Sequence, residues 1–401
     1  MFNEQVNNNS TYHVVNKICA GIDVHRDFVS VTIIKESDDG EVISNYQEFS
    51  TVKKELIKLR EWLLNYDCKT VGMESTGKYW YPVYNALEGY VNIKLYNARN
   101  MKNIPGKKTD KTDSEWIAKI TRHELIVPSF IPAKQIRDSR IYFRIRKSLI
   151  QQRTSNRQII HGILDTASIK LSSTISDIFG VSGRNLIQLL IKGTPINEES
   201  IKGLVYGPLR SKSDKLVTAM DGYTRSTHRH FLNTIMALEK EFTKMIDKLE
   251  LELRQFLLDS QEKQTICDRI AAIPGFSERS ALLLLSEIGF DLSSFPTSKR
   301  FCSWVGLAPG KKESAGINKS GKIQVRQRYI RTLLVEVAFA SVKCKGTFLQ
   351  AKYQILRSRI GSSKAVVAIA HKLAKAVYQI IKEDKSYQEL SSSYLFMSEE
   401  E

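Results

Sequence analysis

Gly21-Ile22-Asp23-Val24 closes one apolar run, and Val71-Gly72-Met73-Glu74 closes another. Each run ends on an acid, in a position where a buried strand gains nothing from a charge. Working outward, Lys17 to Val24 and Phe28 to Lys35 read as strands. Asp38-Asp39-Gly40 is a hairpin turn leading into a third strand, Glu41 to Ser50. Thr51 opens an amphipathic helix with Leu56, Leu59, Leu63 and Leu64 at helical spacing. Thr70 to Met73 is a fourth strand, Thr76 to Leu87 an aromatic-rich helix and Val91 to Tyr96 a fifth strand. A Pro-Gly loop carrying Lys107 and Lys108 precedes a helix from Asp110 to His123. The order is β-β-β-α-β-α-β-α, a meander followed by alternation.

Asp110 and Asp113 stand at i, i+3 and share one helix face. Singly, Asp110 is a good N-cap, Asp113 favours the helix dipole and Asp23 suits a turn. Together with Glu74 they match a ribonuclease H-like mixed sheet, in which the first strand, the fourth strand and a late helix bring acids to one point. Carboxylates gathered in this way suit a hard divalent cation, Mg²⁺ or Mn²⁺, and the phosphoryl transfer that such ions support.

The remainder reads as mostly helical. Between Lys134 and Ile160 stand eight basic residues and one acid. Arg137, Arg140, Arg144 and Lys147 form one stripe, and Arg146, Arg153 and Arg157 a neighbouring one. A one-signed face suits a phosphate backbone, and a solvated surface is the plainer reading. Phe231, Ile235, Leu238, Phe242, Met245, Leu249, Leu253 and Phe256 approach a heptad seam, which fits a dimerising coiled coil and a helical hairpin equally well. Ile273-Pro274-Gly275-Phe276 before a small apolar helix resembles a helix-hairpin-helix turn; a tight packed turn is the alternative. A Gly/Lys/Ser-rich loop runs from Gly306 to Gly321, followed by helices from Val325 to Lys343 and from Ser363 to Asp384. The expected organisation is an extension over 1–16, a ribonuclease H-like domain over 17–132, a basic helical connector over 133–265, a C-terminal domain over 266–385 and a flexible tail over 386–401.

The chain has 401 residues and a formal net charge of +17, which favours a polyanionic partner. Its five cysteines are scattered and form no C-x-x-C pair, so no zinc site or disulfide framework is indicated. No apolar run is long enough to span a bilayer, and no signal pattern opens the chain, so a cytoplasmic protein without a membrane partner is expected. Actin-like and sugar-kinase ATPases are set aside, because Asp23-Val24-His25-Arg26 supplies no Gly-rich phosphate loop.

The stretches from Gly21 to His25, Glu74 to Glu88, Asn97 to Ala118, Ser129 to Ile159 and Gly306 to Ile323 resemble the DEDD transposases of the insertion-sequence one-ten family, with its eleven-eleven group. The resemblance spans roughly residues 17 to 380. It implies that the domain over 17–132 is RuvC-like, with a metal-binding catalytic tetrad of Asp23, Glu74, Asp110 and Asp113. It also implies a nucleophilic serine at Ser314, with Ser320 as the competing candidate. Position 315 holds Ala where the family pattern has Gly. Lys311, Lys312, Lys322, Arg326, Arg328 and Arg331 would hold the nucleic-acid backbone. The implied partners are donor and target DNA, a structured non-coding guide RNA and further copies of the chain in a dimer or tetramer, in a prokaryotic nucleoid. The alternative is a RuvC-like junction nuclease that uses water as its nucleophile.

Overall fold

Strands with a buried side chain at nearly every position need cover on both faces, and here a mixed sheet receives it. The computed structural model describes residues 13–75, 77–101, 110–308, 310–314, 317–321 and 328–389. The chain forms two units, Met1–Ile131 and Pro132–Glu401.

In the first unit the order is β1 (Ile18–Val24), β2 (Phe28–Glu36), β3 (Val42–Ser50), α1 (Lys53–Asn65), β4 (Thr70–Glu74), α2 (Trp80–Leu87), β5 (Asn92–Tyr96), α3 (Ala98–Met101) and α4 (Asp110–His123). The sheet order is β3-β2-β1-β4-β5. β1 runs antiparallel to β2 and parallel to β4, and β4 runs parallel to β5. This is the ribonuclease H-like arrangement expected from the element order. One face buries Ile22, Val24, Val31, Met73 and Leu95 against Leu56, Leu59, Leu63, Val83 and Leu87 of α1 and α2. The other face is covered by α4.

The second unit begins with α5 (Lys134–Thr166), followed by α6 (Leu171–Thr174), α7 (Val181–Lys192), α8 (Glu198–Ile201), α9 (Ser213–Met220) and α10 (Ser226–Leu257). Then come α11 (Gln261–Ala271), α12 (Glu278–Ile288), α13 (Ser298–Val305), β6 (Gly310–Ser314), β7 (Ile317–Gly321), α14 (Arg328–Ser341), α15 (Phe348–Ile360) and α16 (Ser362–Glu383). The stretch read as a loop from Gly306 contains an antiparallel hairpin in which Ser314 pairs with Ile317 and Lys311 with Ser320. The Pro274-Gly275 turn is a packed one. Gly275 has φ +95°, a Cβ there would lie 2.2 Å from Ser341 Oγ, and that hydroxyl donates to the Pro274 carbonyl at 2.6 Å.

α5 and α10 form an antiparallel hairpin within the chain. Its buried stripe on α10 is Leu232, Met236, Glu239, Ile246, Leu253 and Leu257, offset so that it shares only Leu253 with the expected seam. Phe231, Leu238 and Met245 of that expected seam face solvent. The offset has an electrostatic cause. Glu239 lies between Arg157 and Arg184, with contacts of 2.6 Å to each guanidinium, and Glu250 lies between Arg146 at 2.5 Å and Arg279 at 2.7 Å. Eleven residues separate the two arginines on α5 and the two glutamates on α10, so both clasps fix one register. A third acid, the buried Glu287 of α12, sits 3.3 Å from Arg140 and 3.6 Å from Arg144. Burial pushes its carboxyl above the usual range, against the pull of both arginines.

Candidate active site

Strand alternation puts Gly21 and Asp23 of β1 on one face of the sheet, and Gly72 and Glu74 of β4 on the same face. The parallel register pairs Gly21 with Gly72 and Ile22 with Met73. Continued by one residue, it sets Asp23 beside Glu74 at the C-terminal ends of neighbouring strands, roughly 4.8 Å apart in the backbone. Asp23 is buried at 8% exposure, and Glu74 is half-buried.

The two glycines let α4 lie directly on this face. A Cβ on Gly21 would fall 2.2 Å from both Ala118 N and Ser114 O, and one on Gly72 would fall 1.9 Å from Thr121 Oγ1. α4 runs antiparallel to β1. The Arg122 carbonyl accepts from Val15 and Asn16 N–H before the strand begins, Ala118 O meets Cys19 Sγ, and Ser114 lies against Gly21. Four helical residues advance about 6 Å and two strand residues about 6.6 Å. One more helical turn therefore carries the backbone of Asp110 level with Asp23. Asp113, in the same turn, is half-buried.

Buried hydroxyls fix α4 against the sheet. Thr32, the register partner of Gly21, shares a 2.7 Å hydrogen bond with Ser114 at full burial. Tyr96 OH donates to Thr121 Oγ1 at 3.3 Å, and Thr121 donates to the Ile117 carbonyl at 2.8 Å. At the strand end, His25 Nε2 stands 3.1 Å from Asp23 Oδ2, with its ring stacked on Phe28 at 4.5 Å. Sequence reasoning passed over Thr32, Ser114 and the role of the glycines. Their signal was the shared spacing Gly-x-Asp and Gly-x-Glu, which period-2 alternation turns into a small residue under the helix and an acid at its end.

The donor set fits a hard divalent cation, since carboxylates on adjacent strands and a facing helix turn offer only oxygen. Among the described residues, no three His, Cys, Asp or Glu side chains gather closely enough to hold a metal by themselves. The side chain of Asp110, the fourth expected ligand, lies outside those residues, as do the side chains of Ser314, Ser320, Lys311, Lys312 and Arg328. Lys107, Lys108, Lys322 and Arg326 lie outside them altogether. Burial pushes the thiols of Cys19 and Cys68 to about 12, and those of Cys267 and Cys302 to about 11, which leaves them poor nucleophiles.

Several expected nucleic-acid contacts point elsewhere. Arg137 is buried and donates to the Pro132 carbonyl at 3.1 Å, and Arg140 donates to the Glu287 carbonyl at 3.0 Å. Arg153 donates to Thr243 at 3.3 Å, and Arg157 clasps Glu239. The stripe that reads as one-signed in sequence is answered by acids on α10 and α12, and only the fold reveals that neutralisation. Arg144 stays 41% exposed in its side chain, and Lys147 is half-buried; both lie over the ring of Tyr329. Arg331 is half-buried.

Comparison with known proteins places the chain in a family. A DEDD transposase model of the IS110 type matches residues 20–169, and a model described as transposase IS116/IS110/IS902 family matches residues 267–354. A probable family 20 transposase of Pseudomonas aeruginosa is 23% identical over 79% of this chain and 85% of its own length. The transposase for insertion sequence element IS1111A of Coxiella burnetii is 23% identical over 79% of each chain. A pilin gene-inverting protein of Moraxella lacunata is 27% identical over 44% of this chain and 52% of its own. The Thermus thermophilus RuvC structure is similar over 25% of this chain and 90% of its own length, at 14% identity and a TM-score of 0.21. None of the described helices is long and apolar enough to cross a membrane. Two models of one family thus match both units, and the chain belongs to the IS116/IS110/IS902 family of transposases, enzymes that act on DNA.

Proposed function

We propose that this transposase cuts and rejoins DNA strands through a tetrad of Asp23, Glu74, Asp110 and Asp113 and the nucleophile Ser314. The single observation that supports the tetrad is the register setting Asp23 beside Glu74, with the first turn of α4 level with both. These carboxylates would hold Mg²⁺ or Mn²⁺. Such an ion, when bound, supplies Lewis-acid stabilisation of charge on phosphate oxygens. Ser314 Oγ attacks phosphorus, the bond to the departing deoxyribose oxygen breaks, and the serine proton ends on that oxygen. Rejoining reverses the exchange with a new strand. Gene inversion, the activity in the name of the Moraxella relative, needs the same cut-and-rejoin chemistry. Arg144, Lys147, Lys311, Lys312 and Arg331 are the cations proposed to meet the phosphate backbone.

Pairing of both DNA partners is assigned to a structured guide RNA, which leaves the protein to read shape and phosphate. A second copy is the proposed occupant of the solvent-facing stripe Phe231, Leu238 and Met245 on α10. The site of action is the cytoplasm, on nucleoid DNA.

The test is a denaturing-gel assay with end-labelled DNA, Mg²⁺ and RNA from the element's flanks. Wild type is expected to leave a protein–DNA adduct that Ser314→Ala abolishes, Ser320→Ala retains and Asp23→Asn prevents. Free cleaved ends without adduct, unchanged by Ser314→Ala, would replace the serine with water and make the chain a junction nuclease.

A further inference from the structure

Where α15 and α16 meet the last described residues, the second unit holds a cavity of about 660 Å³ that the proposed chemistry does not use. Phe348, Leu373, Ile380 and Tyr387 give it apolar and aromatic walls, and Lys372 and Lys375 also line it. Lys352, one turn along α15 from Phe348, is close enough to act on Lys372 as well. Burial, Lys352 and Lys375 together hold the Lys372 ammonium below its usual range. Among the described residues none of these three lysines has an acidic partner. Like charges brought together at a half-buried site repel unless an anion shares them.

The aromatic wall is fixed in place. Glu389 Oε1 accepts from the Phe348 backbone N–H at 2.6 Å, and its Oε2 accepts from Tyr387 OH at 2.7 Å. The first residues of the expected flexible tail are therefore tied across the start of α15. Lys372 Nζ stands 5.5 Å from the centroid of the Phe348 ring. An anion held by the lysines would thus have a flat hydrophobic face beside it.

We propose that this cavity takes one nucleotide of an unpaired nucleic-acid strand, with its phosphate between Lys372 and Lys375 and its base against Phe348 and Tyr387. Its volume is that of an ordinary small-ligand site. Cations beside aromatic faces are the usual means of gripping single strands without reading sequence. The inference rests on the proposed function only in taking nucleic acid as the ligand.

The test uses the full chain with 5′-phosphorylated tetrathymidylate and, separately, tetrauridylate, followed by fluorescence anisotropy across a salt series. The Lys372→Ala/Lys375→Ala variant is expected to weaken binding about tenfold and to lower the log–log salt slope by about 0.7, one phosphate contact's worth on a single strand. Phe348→Leu is expected to weaken binding while leaving the slope unchanged, because it removes stacking and no charge. The DNA and RNA probes distinguish which strand the cavity prefers. A thymidylate probe carrying 5-iodouracil should cross-link to Phe348 or Tyr387. Unchanged affinity and slope in the double variant, or cross-links confined to other elements, would overturn the assignment. Loss of the Ser314 adduct in the cleavage assay leaves this binding result untouched, so the two readings fail separately.

Discussion

At the scale of single residues, the candidate site depends on two missing side chains. Gly21 and Gly72 meet α4 differently. The Cβ that Gly21 lacks would strike backbone atoms of Ala118 and Ser114, whereas that of Gly72 would strike chiefly the side chains of Thr121 and Tyr96. Backbone cannot step aside as a side chain can. Gly21→Ala is therefore expected to cost about 3 kcal/mol, the upper end for overpacking, and Gly72→Ala less. Urea denaturation of the two variants checks the ranking, and equal losses would refute it. Gly21→Ala should also weaken Mn²⁺ binding, measured by titration calorimetry, because lifting the first turn of α4 separates Asp113 from Asp23.

At the scale of elements, the sequence disclosed strands and helices more faithfully than it disclosed their partners. The meander and the alternating β4-α2-β5 were legible because each strand is a short apolar run with a turn signal beside it, and because Asp23 and Glu74 stand out against such runs. The α10 seam was legible as a period but not as a face. Phe231, Leu238 and Met245 advertise a seam, yet Glu239 and Glu250 turn the helix by about one residue to meet arginines of α5 more than eighty positions away. No local pattern carries that information. Glu239→Gln should leave Arg157 and Arg184 sharing a neutral amide in a buried position. The expected loss is about 3 kcal/mol, at the low end for a broken buried pair, since the two arginine side chains keep 31% and 30% of their surface in water. Chemical denaturation measures it, and a loss below about 1 kcal/mol would mean that packing alone sets the register.

At the scale of the whole molecule, the net charge of +17 pointed to a polyanion, but its location was not legible. Much of the densest basic run is turned inward against Glu239, Glu250 and Glu287, while isoleucines of the same helix, Ile141 and Ile145, face out. With Phe231, Leu238 and Met245 these leave exposed apolar side chains on both long helices of the hairpin. Leu238→Lys/Met245→Lys is expected to shift the molecular mass in solution toward that of a single chain, read by light scattering coupled to size exclusion. An unchanged mass would place the contact between copies elsewhere.

The three acids of the second unit, each set between two arginines, also bear on how the protein responds to heat. Charged groups are hydrated with a strongly negative entropy, so the penalty for withdrawing them from water shrinks as temperature rises, while apolar contacts gain little more. The α5–α10 hairpin, clasped by Glu239 and Glu250, thus holds its register by the interaction that warming weakens least. Its two helices should keep their alignment close to the temperature at which the surrounding apolar core gives way.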